Sequence, residues 1–217
     1  MVQIIPAILA TIETEYQEQL TKIQESGDFT GGWVHIDLMD NKFVQNASIR
    51  PEIIAKHPAN LKLEAHLMVE YPENWIDGLV KVPVGRIIFP VEDEAGIENR
   101  IEHIKGHELT VGLSINPETA VDLLKPFIEL IDLVLVMGVH PGKQGQEFIP
   151  GTLEKIKELV KLRIQTGASF MIEVDGGISP ENAKLIKDAG AGSVVVGSHL
   201  TKGDIDENLA KIQEKLA

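Results

Sequence analysis

The stretch SFMIEVDGGISPENAKLIKDAGAGSVVVG, residues 169–197, decides the fold. Two short aliphatic runs, 169–174 and 193–197, enclose a segment that opens on Ser179-Pro180-Glu181. Serine is a preferred helix N-cap, and proline suits the first helical position, where its missing N–H would have had no partner. The runs are apolar at successive positions rather than at alternate ones, as in parallel strands covered on both faces. Strand, capped helix and strand make one β/α unit.

Outward from this unit the same alternation fills the chain. Strand-like runs stand at 3–9 (QIIPAIL), 33–39 (WVHIDLM), 61–68 (LKLEAHLM), 86–90 (RIIFP), 109–115 (LTVGLSI) and 133–137 (LVLVM). Helical periodicity marks Glu13 to Glu25, Ile149 to Leu162 and Asp204 to Leu216, with Asp204 or Asp206 as cap of the last. Asn116-Pro117-Glu118 predicts another helix start. Eight units in 217 residues predict a single (β/α)8 barrel over 1–217, with an open doubly wound sheet as the alternative. In a barrel of this kind, active sites form at the C-terminal ends of the strands.

Composition narrows the function classes. A formal net charge of −13 argues against nucleic acid and anionic membrane surfaces as partners, since both need a basic footprint. There is no cysteine, so disulfides, thiolate metal sites and a cysteine nucleophile are excluded. The N-terminal run MVQIIPAILATIETE lacks a basic segment followed by a long apolar one, and no apolar run approaches a membrane span. A cytoplasmic enzyme is the expectation.

Four polar side chains end strands: His35 and Asp37 in WVHIDLMD, His66 in LEAHLMV and Asp175 in FMIEVDGG. Residues two apart on a strand share a face, so His35 and Asp37 reach a common point. A lone strand histidine is commonly a hydrogen-bonded core residue, but a carboxylate aimed into a barrel needs a partner. Neutral imidazole and carboxylate together suit a divalent ion, zinc or ferrous iron. Met39, Met68 and Met137 end or follow strands and read as core filling that also walls the site with apolar surface. His57, His103 and His107 read as surface residues; His140 and His199 lie near loops at the barrel mouth.

Glycines supply a second signal. Gly142 and Gly145 follow the sixth strand, Gly176 and Gly177 the seventh, and Gly197-Ser198 the eighth. Backbone N–H groups approach an anion closely where no side chain intervenes, and barrels often bind phosphate in the loops after strands seven and eight. With the protein's overall charge negative, an anionic ligand must be held by local dipoles and metal charge.

The chain resembles the ribulose-phosphate 3-epimerase family in HIDLMDNKFVQN, AHLMVEYPENWI, INPETAV, DLVLVMGVHPGKQGQEFIP, IEVDGGISPENA and VVVGSHL. The resemblance implies one divalent ion held by His35, Asp37, His66 and Asp175, with Asp37 and Asp175 as acid/base pair. It implies an apolar lining from Met39, Met68 and Met137, and a phosphate site at Gly142, Gly145, Gly176, Gly177, Gly197 and Ser198. It implies a sugar-phosphate substrate and a homo-oligomer. Ala7, Asn41, Pro90 and Lys143 depart from the family pattern, which bears on substrate preference and rate more than on reaction class. The competing readings are a ketohexose 6-phosphate epimerase and a non-catalytic sugar-phosphate-binding barrel.

Overall fold

The computed structural model describes residues 2–29, 32–93 and 95–217. Eight parallel strands close into a barrel in sequence order: β1 Gln3–Ile8, β2 Trp33–Met39, β3 Lys62–Met68, β4 Val84–Pro90, β5 Thr110–Ile115, β6 Leu133–Met137, β7 Met171–Asp175 and β8 Ser193–Val196. This is the (β/α)8 TIM barrel. Helices α1 Glu13–Glu25, α2 Pro51–Lys56, α3 Glu73–Leu79, α4 Ile97–Gly106, α5 Thr152–Thr166, α6 Pro180–Ala189, α7 Ser198–Thr201 and α8 Ile205–Leu216 accompany the strands.

The helices bury the faces their periodicity predicts. In α1 the buried residues are Tyr16, Leu20 and Ile23; in α8 they are Ile205, Leu209, Ile212 and Leu216. Asp204 caps α8 by accepting from the N–H groups of Asp206 and Glu207. At the start of α6, Asn182 Oδ1 accepts from the Ser179 N–H, one arm of a capping box. Helix α5 starts later than Ile149, because Pro150-Gly151 intervene, and continues to Thr166 before Gly167 turns left-handed.

One expected helix is absent. After β5, Asn116-Pro117-Glu118 opens a turn followed by a short 3-10 helix, Val121–Leu124. The Glu92 carboxylate, on the loop after β4, takes the Asn116 N–H and the Thr119 hydroxyl, holding that turn. Pro126 lacks the N–H a helix would need and limits any continuation.

Inside the barrel, Ile5, Ala7, Ile88, Leu133, Leu135, Met137 and Val195 form an apolar cluster packed against Trp33. The larger core lies between the strands' outer faces and the helices. The barrel interior also contains charge: Glu64 and Glu173 are fully buried, and Arg86 stacks on the Trp33 ring at 4.3 Å.

Candidate active site

β2 and β3 run in register, so Asp37 stands opposite His66 and His35 opposite Glu64. β7 brings Asp175 to the same mouth. One ligand atom from each of His35, Asp37, His66 and Asp175 lies within 4.8 Å of the others. His66 Nδ1 is 3.2 Å from Asp37 Oδ1. His35 Nδ1 is 2.8 Å from Glu64 Oε1, which leaves Nε2 facing the cluster. Nε2 lies 3.3 Å from Asp37 Oδ1 but makes no hydrogen bond among the described residues. A fully buried ring nitrogen without a hydrogen-bond partner, beside two carboxylates and a second imidazole, fits a metal ligand. The donor set is of the N/O kind that zinc or ferrous iron accepts.

Electrostatics pull the two aspartates apart. Burial acts to raise the Asp37 carboxyl, but the positive charge of the nearby His35 and the His66 imidazole at hydrogen-bond distance overcome it and hold Asp37 well below the usual carboxylate range. Asp175 is pushed up to about 7, first by burial and then by the negative charge of Asp37. His35 is raised well above the ordinary imidazole value: burial opposes its charge, yet Asp37 and Glu64 outweigh that. Burial lowers His66.

These directions predict a pH dependence for the metal-free protein. A folded Asp175 keeps its proton between its ordinary value of 3.8 and about 7, where the unfolded chain has lost it. Stability therefore falls as pH rises through that window. Glu173, raised well above 4.5 by burial and by Glu64, acts in the same sense. The stability that His35 contributes is fully present below 6.5 and is lost as pH rises through its folded value. His66 opposes them, and at the acidic end of the window so do the lowered carboxyls of Asp37 and Glu64. In chelator, urea unfolding should show stability dropping by on the order of 3 kcal/mol between mildly acidic and neutral pH. Added zinc should flatten that slope; a metal-free protein whose stability rises over the same range would contradict these assignments.

Above the cluster opens a cavity of about 610 Å³, lined at its floor by Ala7, Asp37, Met68, Met137 and Asp175. Its wall comes from the loops after β6, β7 and β8, and includes Gly142, Gly145, Gly176, Gly177, Gly197 and Ser198. His35 and His66 lie beneath it, fully buried. Met39 is buried in a small cluster with Val44 and Met68. Gly177 has φ +68, and a Cβ there would come within 2.6 Å of the Phe148 backbone nitrogen, so only glycine fits. The loops after β6 and β8 meet: a Cβ on Gly197 would sit 3.3 Å from Gln144 Nε2.

The departures from the family pattern have particular settings. Asn41 takes φ +60, a left-handed conformation that asparagine tolerates better than most residues. Ala7 lines the cavity floor, Pro90 is buried at the end of β4, and Lys143 is exposed on the rim. His140 and His199 also line the cavity. Sequence reasoning passed over Gln144, Asn182 and Lys202 in the wall, and Glu64, Arg86 and Glu173 beneath the cluster. Period-two spacing signalled two of these: Glu64 precedes His66, and Glu173 precedes Asp175, by two residues.

The model of the ribulose-phosphate 3-epimerase family matches residues 3–201. The chain belongs to this family. With it the chain joins the carbohydrate epimerases, which are isomerases. The ribulose-phosphate 3-epimerase of Chlamydia muridarum is 36% identical over 208 residues, covering 94% of this chain and 90% of that protein. The protein of the same name from Bacillus subtilis is 36% identical over 203 residues, covering 91% of each. In fold the chain is similar to 3-hexulose-6-phosphate synthase from Salmonella typhimurium, with a TM-score of 0.68, 17% identity, and coverage of 99% of this chain and 98% of that one. The family uses a divalent metal, and the buried His/Asp cluster is able to bind one. Among the described residues, no helix is long and apolar enough to cross a membrane.

Proposed function

We propose that this protein interconverts D-ribulose 5-phosphate and D-xylulose 5-phosphate by inverting C3, with Asp37 and Asp175 as acid/base pair and one divalent ion, zinc or ferrous iron, held by His35, Asp37, His66 and Asp175. Family membership supports C3 epimerisation of a pentulose phosphate. The observation that carries the finer reading is the pair of clustered carboxylates whose environments drive them in opposite directions, Asp37 down and Asp175 up to about 7. Inversion needs one group ready to take a proton and another ready to give one.

The C3 proton is acidic because it lies next to the C2 carbonyl. One carboxylate removes it from one face of the carbon, and the other carboxyl returns a proton to the opposite face. The roles exchange with the direction of reaction. A bound divalent ion supplies Lewis-acid stabilisation of negative charge on the substrate oxygens. His35 and His66 position Asp37 by flanking it. Met68 and Met137 wall the reacting carbon off from water. The phosphate lies against the loops after β6, β7 and β8, where glycine lets backbone N–H groups approach, and its binding energy orients the sugar.

The direct test is proton exchange followed by NMR in deuterated water, with ribulose 5-phosphate and added zinc or ferrous iron. Deuterium should enter at C3 as xylulose 5-phosphate appears. A protein that binds the sugar phosphate without exchanging that proton is a binding protein, and the proposal is wrong.

The anion site has its own test. In Gly197→Asp the new Cβ meets Gln144 Nε2 at 3.3 Å, so that flexible side-chain end must give by a few tenths of an ångström, with Ala7 Cβ in ordinary contact at 3.8 Å, and the carboxylate puts bulk and negative charge into the wall. Affinity for ribulose 5-phosphate should fall by about 10²-fold, the scale of a lost set of charge-assisted hydrogen bonds, with zinc content unchanged. The control is the unphosphorylated sugar. An unchanged preference for the phosphorylated form would move the anion to the Lys143 loop.

A further inference from the structure

Below the proposed metal cluster lies a chain of buried polar contacts with a defined direction. Glu64, fully buried on β3, presents Oε1 to His35 Nδ1 at 2.8 Å and Oε2 to Arg86 Nη1 at 2.5 Å. Arg86 stands opposite Glu64 in the β3–β4 register. It is itself held in place: its guanidinium stacks on Trp33 at 4.3 Å, and its Nε donates to Thr110 Oγ1 at 3.4 Å. Its Nη1 is also 3.7 Å from Glu173 Oε2, which accepts a 2.7 Å hydrogen bond from Ser193 Oγ. Each oxygen of Glu64 thus has a hydrogen-bond partner, His35 on one side and Arg86 on the other, with the Glu173 carboxyl close beside both Glu64 and His35.

We infer that Arg86 is a positioning residue for the metal centre, acting through Glu64 to keep a hydrogen-bond acceptor against His35 Nδ1 and so leave Nε2 free to ligate. The inference rests on the metal reading of the cluster. A ligated Nε2 puts the remaining ring proton on Nδ1, and that proton needs an acceptor. Glu64 Oε1 is the acceptor within reach, and Arg86 keeps Oε2 occupied so that the carboxylate does not rotate out of line.

Glutamine at position 64 turns this into a test. It has one oxygen and one NH2, while Arg86 and a metal-ligated His35 both require an acceptor. If the oxygen faces Arg86, the NH2 meets Nδ1–H, donor against donor; if it faces His35, the NH2 meets the guanidinium. Both arrangements penalise zinc at Nε2. Removing Arg86 lets the amide turn its oxygen to His35 and removes the conflict. Arg86→Met should therefore have opposite effects in the two backgrounds, weakening zinc binding when residue 64 is glutamate and strengthening it when residue 64 is glutamine.

The measurement is zinc affinity by competition with a chelating dye, on the full chain stripped of metal and without substrate. The zinc-loaded forms are also compared by 15N NMR of His35. Glu64→Gln should bind zinc about 10- to 100-fold more weakly than wild type, and Arg86→Met about 10-fold more weakly. The double variant should bind at least about 10-fold more tightly than Glu64→Gln and should recover the protonated Nδ1 signal of wild type. A loss of packing alone would weaken binding in both backgrounds, so a double variant no tighter than Glu64→Gln overturns the inference. If Glu64→Gln fails to fold, Arg86→Met decides it, and unchanged zinc affinity there overturns it. Wild type that binds no zinc or ferrous iron overturns the metal reading itself, and the inference with it.

Discussion

Asp175→Asn is expected to lower turnover by at least about 10²-fold, the scale of a lost general acid/base. The side chain sits at the end of β7, almost fully buried, with its carboxyl raised to about 7 by burial and by Asp37. Asparagine keeps its shape and an oxygen able to face a cation, but it cannot exchange a proton. Zinc content measured on the same preparation separates lost chemistry from lost metal. Exchange of the C3 proton should be lost for the epimer whose proton faces Asp175 and should persist for the epimer that faces Asp37, because only one face of the carbon has lost its partner. A variant with near-normal turnover would remove Asp175 from the acid/base pair and end the two-face scheme.

Complete metal removal is expected to cost at least about 10³-fold in turnover, since Lewis-acid stabilisation of the developing charge is worth several kcal/mol. Activity should return when zinc or ferrous iron is restored at about one ion per chain. His66→Ala should lower occupancy, because it deletes one of the two imidazoles in the cluster and the neighbour of Asp37 Oδ1 at 3.2 Å. The variant also leaves a hole in a fully buried position, so thermal unfolding with and without zinc is needed beside the occupancy measurement. The stabilisation by zinc should shrink along with the occupancy. Undiminished turnover after exhaustive chelation would mean that the carboxylates work alone.

How much of this was legible in the sequence depended on where each structural cause lay. The strands were readable because their cause is local: short, largely apolar runs such as Leu133–Met137 and Trp33–Met39 appear with the bounds expected of them. The cap of α8 by Asp204 was readable for the same reason. The turn after β5 was not, because the group that organises it, Glu92, belongs to the preceding loop and is distant in sequence from Thr119. At the mouth, the grouping of His35, Asp37, His66 and Asp175 followed from period-two spacing and barrel closure, although only Asp175 ends its strand and the other three lie inside β2 and β3. The charged layer below was missed because Arg86 meets Glu64, Trp33, Thr110 and Glu173 through the pairing of strands that are distant in sequence. Met39, expected from its place in β2 to face the cavity, packs with Val44 and with Met68, which does line it.

The proposed ligands and the wall above them belong to different kinds of backbone. His35, Asp37, His66 and Asp175 all lie within strands of the closed sheet, while Gly142, Gly145, Gly177, Gly197 and Ser198 lie beyond strand ends. Loops tolerate insertion and exchange far better than the strands that carry them. Transplanting the β6 and β8 loops from a relative is thus a route to a new substrate range that leaves the reacting centre intact, whereas an edit of even one residue's length within β2 would turn its whole inward row of side chains to the outside.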